Sequence, residues 1–260
     1  MGNDSYLMLN GLRIEKFIEE MKSNQSDQYL ELDKNREIYY METQKYRFKK
    51  IISTISKYGK RVRILDIGAT PFTIFLKKTY SESEVYSVDK TDLMKQRMQE
   101  NSVSFKKFDI GSEKIQFEDN YFDIIIFTEV LEHLFVSPTI ILKELKRVLK
   151  NDGVLIMSVP NIASLYKRLG LLIGKSPLEN MDDVINNEWA HGHGHIHEYS
   201  MGEMLSLLKK NNFKIIKKSY IQPGILDNVN GLKSLLRSFY YFICLFVPFF
   251  RTTIFIECRK

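Results

Sequence analysis

"RVRILDIGATP", residues 61–71, decides how the rest of the chain is read. Its apolar run is too short for a helix of ordinary length and ends abruptly at Asp66 and Gly68. A short apolar run bounded by turn residues reads as a strand buried on both faces. Pro71 follows, preset for the first turn of a helix. Strand, tight turn and helix therefore succeed one another within a few residues.

The same texture recurs downstream. "EVYSVDK" (84–90), "VSFKKFDI" (103–110), "YFDIIIFTEV" (121–130) and "GVLIMSVPN" (153–161) read as strands, with a helical pattern in "SPTIILKELKRVLK" (137–150). Short buried strands alternating with helices predict a parallel α/β sheet with crossover connections. Beyond residue 200 come a helix ("SMGEMLSLLKKNN"), a strand ("FKIIKKSYI"), an apolar helix-like piece (231–250) and a last strand ("TTIFIECR"). Residues 1–58 read as helical, with Gly59 as a stop.

Composition sets the outer bounds. The chain has 260 residues and a formal charge of +6, enough for one full core and only mildly basic. That charge suits an anionic surface or a phosphorylated substrate but does not demand nucleic acid. Two cysteines, Cys244 and Cys258, make no disulfide framework and point to a reducing cytoplasm. The opening "MGNDSYLMLNGLRIEKFIEE" is charged and amphipathic, unlike a secretory leader.

Acidic residues stand at the carboxyl ends of successive strands, where open α/β sheets bind ligands. Asp66 closes the first, Asp89 the second and Asp109 the third. An acid at the end of a second strand, about 20 residues after a glycine turn, is suited to holding the hydroxyls of a ribose. One such Asp is commonly a cap or turn residue, whereas three in order argue for a cofactor cleft.

The series resembles the class I S-adenosylmethionine-dependent methyltransferases, from about Arg61 to the end of the chain. "ILDIGATP", "VYSVDK", "FDI" and "YFDIIIFTEVLEHL" followed by "LKRVLKNDGVLIMSVPN" match the order of that family's motifs. The resemblance implies a Rossmann-like, seven-stranded, mostly parallel sheet with an antiparallel last strand and helices on both faces. It divides the chain into an N-terminal helical extension or lid (1–58) and a methyltransferase domain (59–260) with an apolar insertion at about 229–250. It places Asp66, Gly68, Ala69, Thr70, Asp89, Lys90, Asp109, Ile110, Thr128 and Glu129 around the cofactor. Asp89 would hold the ribose, and Asp109 with Ile110 would frame the adenine. Thr70 departs from the pattern, since the family usually has glycine there.

The five histidines supply the candidate chemistry. Four alternate in "NEWAHGHGHIHEYS" (187–200) as His191, His193, His195 and His197, and the fifth is His133 in "TEVLEHL". A helix after the fourth strand would set Glu129, Glu132 and His133 on one face. Glu-x-x-Glu-His resembles the metal-holding segment of ubiquinone-biosynthesis O-methyltransferases and of small-RNA 2′-O-methyltransferases, and His195 matches a further histidine of the RNA enzymes. A divalent metal on Glu129, Glu132, His133 and His195 is thus one expectation. A general base from His133, His195 or His197 is the other, with Gly192 and Gly194 hinging a mobile lid and His191 and His193 as solvated bystanders.

"LLRSFYYFICLFVPFFR" (235–251) is too short to span a bilayer and is interrupted by Pro248. It reads either as a core or cap element, or as an interfacial segment whose aromatics and flanking cations sit at a membrane surface. The expected function is transfer of a methyl group to an oxygen of a small, glycan or lipid-linked acceptor. RNA 2′-O-methylation is an alternative carried by the Glu/His match, although no aromatic–basic stacking surface for nucleic acid is evident. A cofactor-fold protein without catalysis is a second, carried by Thr70.

Overall fold

The structure is a computed structural model that describes residues 3–23, 31–180, 182, 184, 194–223 and 232–260. Its elements in order are α1 (Asn3–Ser23), α2 (Glu31–Ile55), β1 (Arg63–Ile67), α3 (Pro71–Thr79), β2 (Glu84–Asp89), α4 (Lys95–Glu100), β3 (Ser104–Lys107) and β4 (Phe122–Thr128). A 3-10 turn (Leu131–His133), α5 (Pro138–Val148), β5 (Leu149–Pro160) and α6 (Leu165–Leu172) follow. The chain ends with α7 (Met201–Lys210), β6 (Lys214–Ile221), α8 (Leu232–Phe246), a 3-10 turn (Pro248–Phe250) and β7 (Thr253–Arg259).

Among the described residues seven strands form one sheet in the order β3-β2-β1-β4-β5-β7-β6. The first five pair in parallel, whereas β7 runs antiparallel to both β5 and β6. The Rossmann-like sheet expected from the motif order is therefore present, and strand order reverses between β1 and β4.

The two-residue period of the central strands sorts their side chains between two cores. Ile64, Ile124, Ile126, Val154 and Ile156 meet α1, α2 and α3 on one face. Leu65, Ile67, Ile125, Phe127, Leu155 and Met157 meet α5 and α7 on the other. Burial on both faces explains why these strands read as unbroken apolar runs.

The N-terminal helix α2 packs into the first core rather than standing off it. Met41, Phe48, Ile51, Ile52 and Ile55 are all buried there. The Phe48 ring stacks on Phe72 of α3 with centroids 4.1 Å apart. Removing that ring leaves a large void against the first turn of α3. Phe48→Ala is expected to lower unfolding stability by about 3–5 kcal/mol, measured by urea denaturation.

Candidate active site

The carboxyl edge of the sheet opens into a cleft of about 450 Å³ at the point where strand order reverses. Its floor is the turn after β1. Gly68 sits at φ +93°, a conformation L side chains rarely adopt, and donates its N–H to the Val88 carbonyl at 2.9 Å. Thr70 stands at φ −139°, extended backbone open to any residue, so its replacement of a glycine costs the turn nothing in backbone geometry.

Asp89 lines the cleft and is held as an acceptor. Its carboxylate takes the Ala69 N–H at 3.0 Å and the Thr91 N–H and hydroxyl at 2.8 and 2.9 Å. Asp109 lines the far wall and accepts the Gly111 N–H at 2.8 Å. Ile110, Val88, Phe108 and Leu134 supply apolar wall, and Lys90 and Glu129 lie on the rim. An apolar slot flanked by two carboxylates suits a flat heterocycle between its walls and hydroxyl donors at its ends.

Asp66, Ala69, Thr70 and Thr128 are not among the lining residues. Asp66 is buried and accepts the Thr73 hydroxyl at 2.6 Å, while Thr73 in turn accepts the Thr70 N–H at 3.2 Å. Asp66 thus ties β1 to the start of α3 from inside. Burial pushes its carboxyl up to about 7, against the opposing pull of the Thr73 hydrogen bond and the Arg47 charge.

The second half of the site begins at Glu129. A single helical face for Glu129, Glu132 and His133 does not form. Glu129 adopts φ +55°, and only the short 3-10 turn Leu131–His133 follows. The left-handed residue turns the chain sharply and separates Glu129 from the other two. Its carboxylate accepts the Ser158 hydroxyl at 2.8 Å and pairs with the buried Arg47 of α2 at 3.1 Å. Arg47 also donates to the Tyr40 hydroxyl at 2.7 Å.

Glu132 and His133 are instead brought to His195. Ligand atoms of these three side chains all lie within 4.8 Å of one another, without Glu129. The imidazole rings of His133 and His195 are 5.0 Å apart. His133 Nδ1 meets the Gly194 carbonyl at 2.6 Å, an acceptor that requires a proton on that nitrogen. His195 Nδ1 lies 3.0 Å from Glu198 and 3.3 Å from Glu179. Burial alone would lower the His195 pKa, but the Glu198 hydrogen bond and the charges of Glu198, Glu179 and Glu129 carry it above its ordinary value.

Glu132 is fully buried, and among the described residues neither carboxylate oxygen has a hydrogen-bond partner. Burial, with the neighbouring Glu129 charge, raises its pKa well above the carboxylate range. Its backbone carbonyl accepts the N–H groups of Ile196 and His197 at 2.8 and 3.2 Å, which holds the histidine segment against the turn. Gly194 is tightly packed. A Cβ there would lie 2.7 Å from the Cα and carbonyl oxygen of Val184. His197 points away and pairs with Glu203 at 2.8 Å on an exposed surface. His191, His193 and Gly192 lie outside the described residues.

Sequence reading did not find three members of this arrangement. Arg47 and Tyr40 come from α2, where nothing in the local pattern separates them from other surface-helix residues. Lys167 of α6 is buried and bonds Glu198, and donates as well to the Pro177 carbonyl at 2.9 Å. A lysine at an interior helical phase was the only available signal.

A family model described as a methyltransferase domain matches residues 40–218. The chain belongs to this methyltransferase family. An uncharacterized methyltransferase of Schizosaccharomyces pombe is 36% identical over 133 residues, covering 44% of this chain and 46% of that protein. The matched segment thus spans about half the length of that relative. A SAM-dependent methyltransferase from Archaeoglobus fulgidus superposes with a TM-score of 0.52 at 19% identity, over 85% of this chain and 99% of that one. The corresponding enzyme from Mesorhizobium loti gives 0.52 at 14% identity, over 76% and 91%. At such identities the likeness is one of fold, and that fold is the class I S-adenosylmethionine-dependent methyltransferase sheet.

For the methyltransferase, Asp66 gives a signed pH dependence. Its folded pKa of about 7 lies above the unfolded value of 3.8, so the folded state holds the proton more tightly. That contribution is fully present below about pH 4 and is lost as pH rises through 7. Asp66→Asn is expected to gain stability relative to the parent between pH 4 and pH 7.5, read as a widening difference in Tm; parallel Tm curves would contradict a buried, protonated Asp66.

Proposed function

We propose that the methyltransferase moves a methyl group from S-adenosylmethionine to a hydroxyl oxygen of a small, glycan or lipid-linked acceptor, with the His133–His195 pair taking the proton. The observation that carries this reading is the pair itself. Each imidazole has Nδ1 engaged by an acceptor, the Gly194 carbonyl or the Glu198 carboxylate, beside the buried Glu132. A neutral His195 whose Nδ1 donates to Glu198 presents a basic Nε2 for a proton.

S-adenosylmethionine, when bound, supplies an electrophilic methyl on a sulfonium sulfur. The chain's own residues do the rest. Asp89 and Asp109 would hold the two sides of the adenosine, and the Gly68 turn would let the backbone approach it closely. His195, with His133 beside it, removes the acceptor proton as the oxygen attacks, and the Glu198 carboxylate, ion-paired to Lys167, stabilises the imidazolium that forms. Alignment of acceptor and donor accounts for most of the rate, since the displacement needs no covalent help.

A second reading has one specific observation in its favour. The Glu132 carboxylate, without a hydrogen-bond partner among the described residues and next to two imidazoles, fits a divalent cation, which would take Glu132, His133 and His195 as ligands. It would lower the pKa of a bound hydroxyl and so replace the base. Dialysis against a chelator followed by zinc or magnesium separates the readings: a Tm rise with added metal that Glu132→Gln abolishes supports the cation, and an unchanged Tm supports the base.

Two further outcomes test the main reading. Asp89→Ala is expected to weaken S-adenosylmethionine binding by about 10–100-fold in calorimetric titration, because charge-assisted hydrogen bonds are lost. Absence of binding by the parent chain would favour a non-catalytic protein. His195→Ala is expected to leave that affinity intact and to cut methyl transfer to a responsive hydroxyl acceptor by about 10²–10⁴-fold, measured with methyl-labelled cofactor across sugar, phenol and RNA acceptors.

A further inference from the structure

Two helices leave the same edge of the sheet as the cleft and bury little of their apolar surface. α6 follows the carboxyl end of β5, and α8 lies between the carboxyl end of β6 and the start of β7. On α6 and the turn after it, Leu169, Leu171, Leu172 and Ile173 are exposed, Leu172 by 81%. On α8, Leu235, Leu236, Phe239, Phe242, Leu245 and Phe246 are exposed, Phe246 by 68%. Single exposed apolar residues are ordinary, but a run of this size on two neighbouring helices is not.

The two helices form one surface. The Arg168 guanidinium of α6 lies over the Phe249 and Phe250 rings of the turn after α8, 5.9 and 5.7 Å from their centroids. Beneath them the buried Asn161 donates its side-chain N–H groups to the carbonyls of Phe249 and Arg251 at 3.0 and 2.7 Å. That clamp fixes the segment after β5 to the segment before β7. α6 also reaches the site directly, because Lys167 on its inner side holds Glu198.

Cations recur along this surface: α6 and the turn after it carry Arg168 and Lys175 besides the buried Lys167, and α8 and the turn after it carry Arg237 and Arg251; residues 161–178 and 232–256 contain no Asp or Glu. Exposed Leu and Phe with interspersed cations, and tyrosines such as Tyr166 at the margin, match what an interfacial helix presents to a lipid layer. Among the described residues no helix is long and apolar enough to cross a membrane. A surface of this kind lies on a bilayer rather than spanning it.

We propose that the exposed faces of α6 and α8 form one docking surface for an anionic membrane, which sets the mouth of the cleft against the headgroup layer. An acceptor presented there would be lipid-borne, an extension that rests on the methyl transfer proposed above; the docking itself does not.

The test is flotation of the full chain with vesicles of equal parts phosphatidylglycerol and phosphatidylcholine, against vesicles of phosphatidylcholine alone. The parent chain is expected to float with the anionic vesicles, less so as salt is raised. The double variants Leu169→Glu/Leu172→Glu and Phe239→Glu/Phe242→Glu, all at exposed positions, are each expected to lower the floated fraction at least ~tenfold. Ile140→Glu, equally exposed but on α5, is expected to float like the parent. Failure of the parent to float, flotation unaffected by the α6 and α8 variants, or a dimer that those variants dissociate would each overturn the proposal. S-adenosylmethionine titration on the same samples reads the catalytic proposal separately.

Discussion

Glu129 is the residue on which the site turns. It follows β4 directly, in a left-handed conformation at φ +55°, a strain of about 1–3 kcal/mol for a non-glycine residue. The surroundings hold it there: its N–H donates to the Ser158 carbonyl, its carboxylate accepts the Ser158 hydroxyl, and Arg47 pairs with it from α2. Because Glu129 turns, the chain leaves β4 as a tight 3-10 turn that places Glu132 inside and His133 against the histidine segment. A regular helix in its place would send all three side chains along one face and leave His195 without its partners.

The same residue joins three parts of the chain that lie far apart in sequence. Arg47 belongs to an N-terminal helix, Glu129 to the middle of the sheet, and Ser158 to the strand beside it. Burying a guanidinium is costly unless it is paired, and Arg47 meets both Glu129 and Tyr40. α2 therefore takes part in the architecture of the site as well as in the core. Behind the cleft, buried Asp66 and Thr73 lock the glycine turn in a comparable way, so each half of the site rests on a polar contact with a buried partner.

Much of the fold was legible because each central strand is covered on both faces. The apolar runs at 64–67, 122–127 and 154–159 have no other stable use in a chain of this composition, and Gly68 and Pro71 mark the turn between strand and helix. The acids at strand ends were legible for a related reason: Asp89 and Asp109 stand where an open sheet binds its ligand. What local pattern could not supply was the direction of side chains after a turn. Reading Glu129, Glu132 and His133 as one face assumed helical geometry, and one positive φ cancels that assumption. Asp66 looked like a cleft residue because it ends a strand, yet period two turns it inward to Thr73. The alternation of four histidines likewise could not separate His195, held by Glu198, from His197, which pairs with Glu203 outside. Arg47 reaches Glu129 and Lys167 reaches Glu198 across long sequence separations, and only an interior helical phase marks the lysine.

The most direct measurement is a crystal structure of the full chain grown with S-adenosylhomocysteine. The account predicts the ribose against Asp89, the adenine between Val88, Phe108 and Ile110 beside Asp109, and the sulfur directed toward the space bounded by Glu132, His133 and His195. Density for the ligand elsewhere on the protein, or an adenosine turned so that Asp89 touches no ribose hydroxyl, would contradict it.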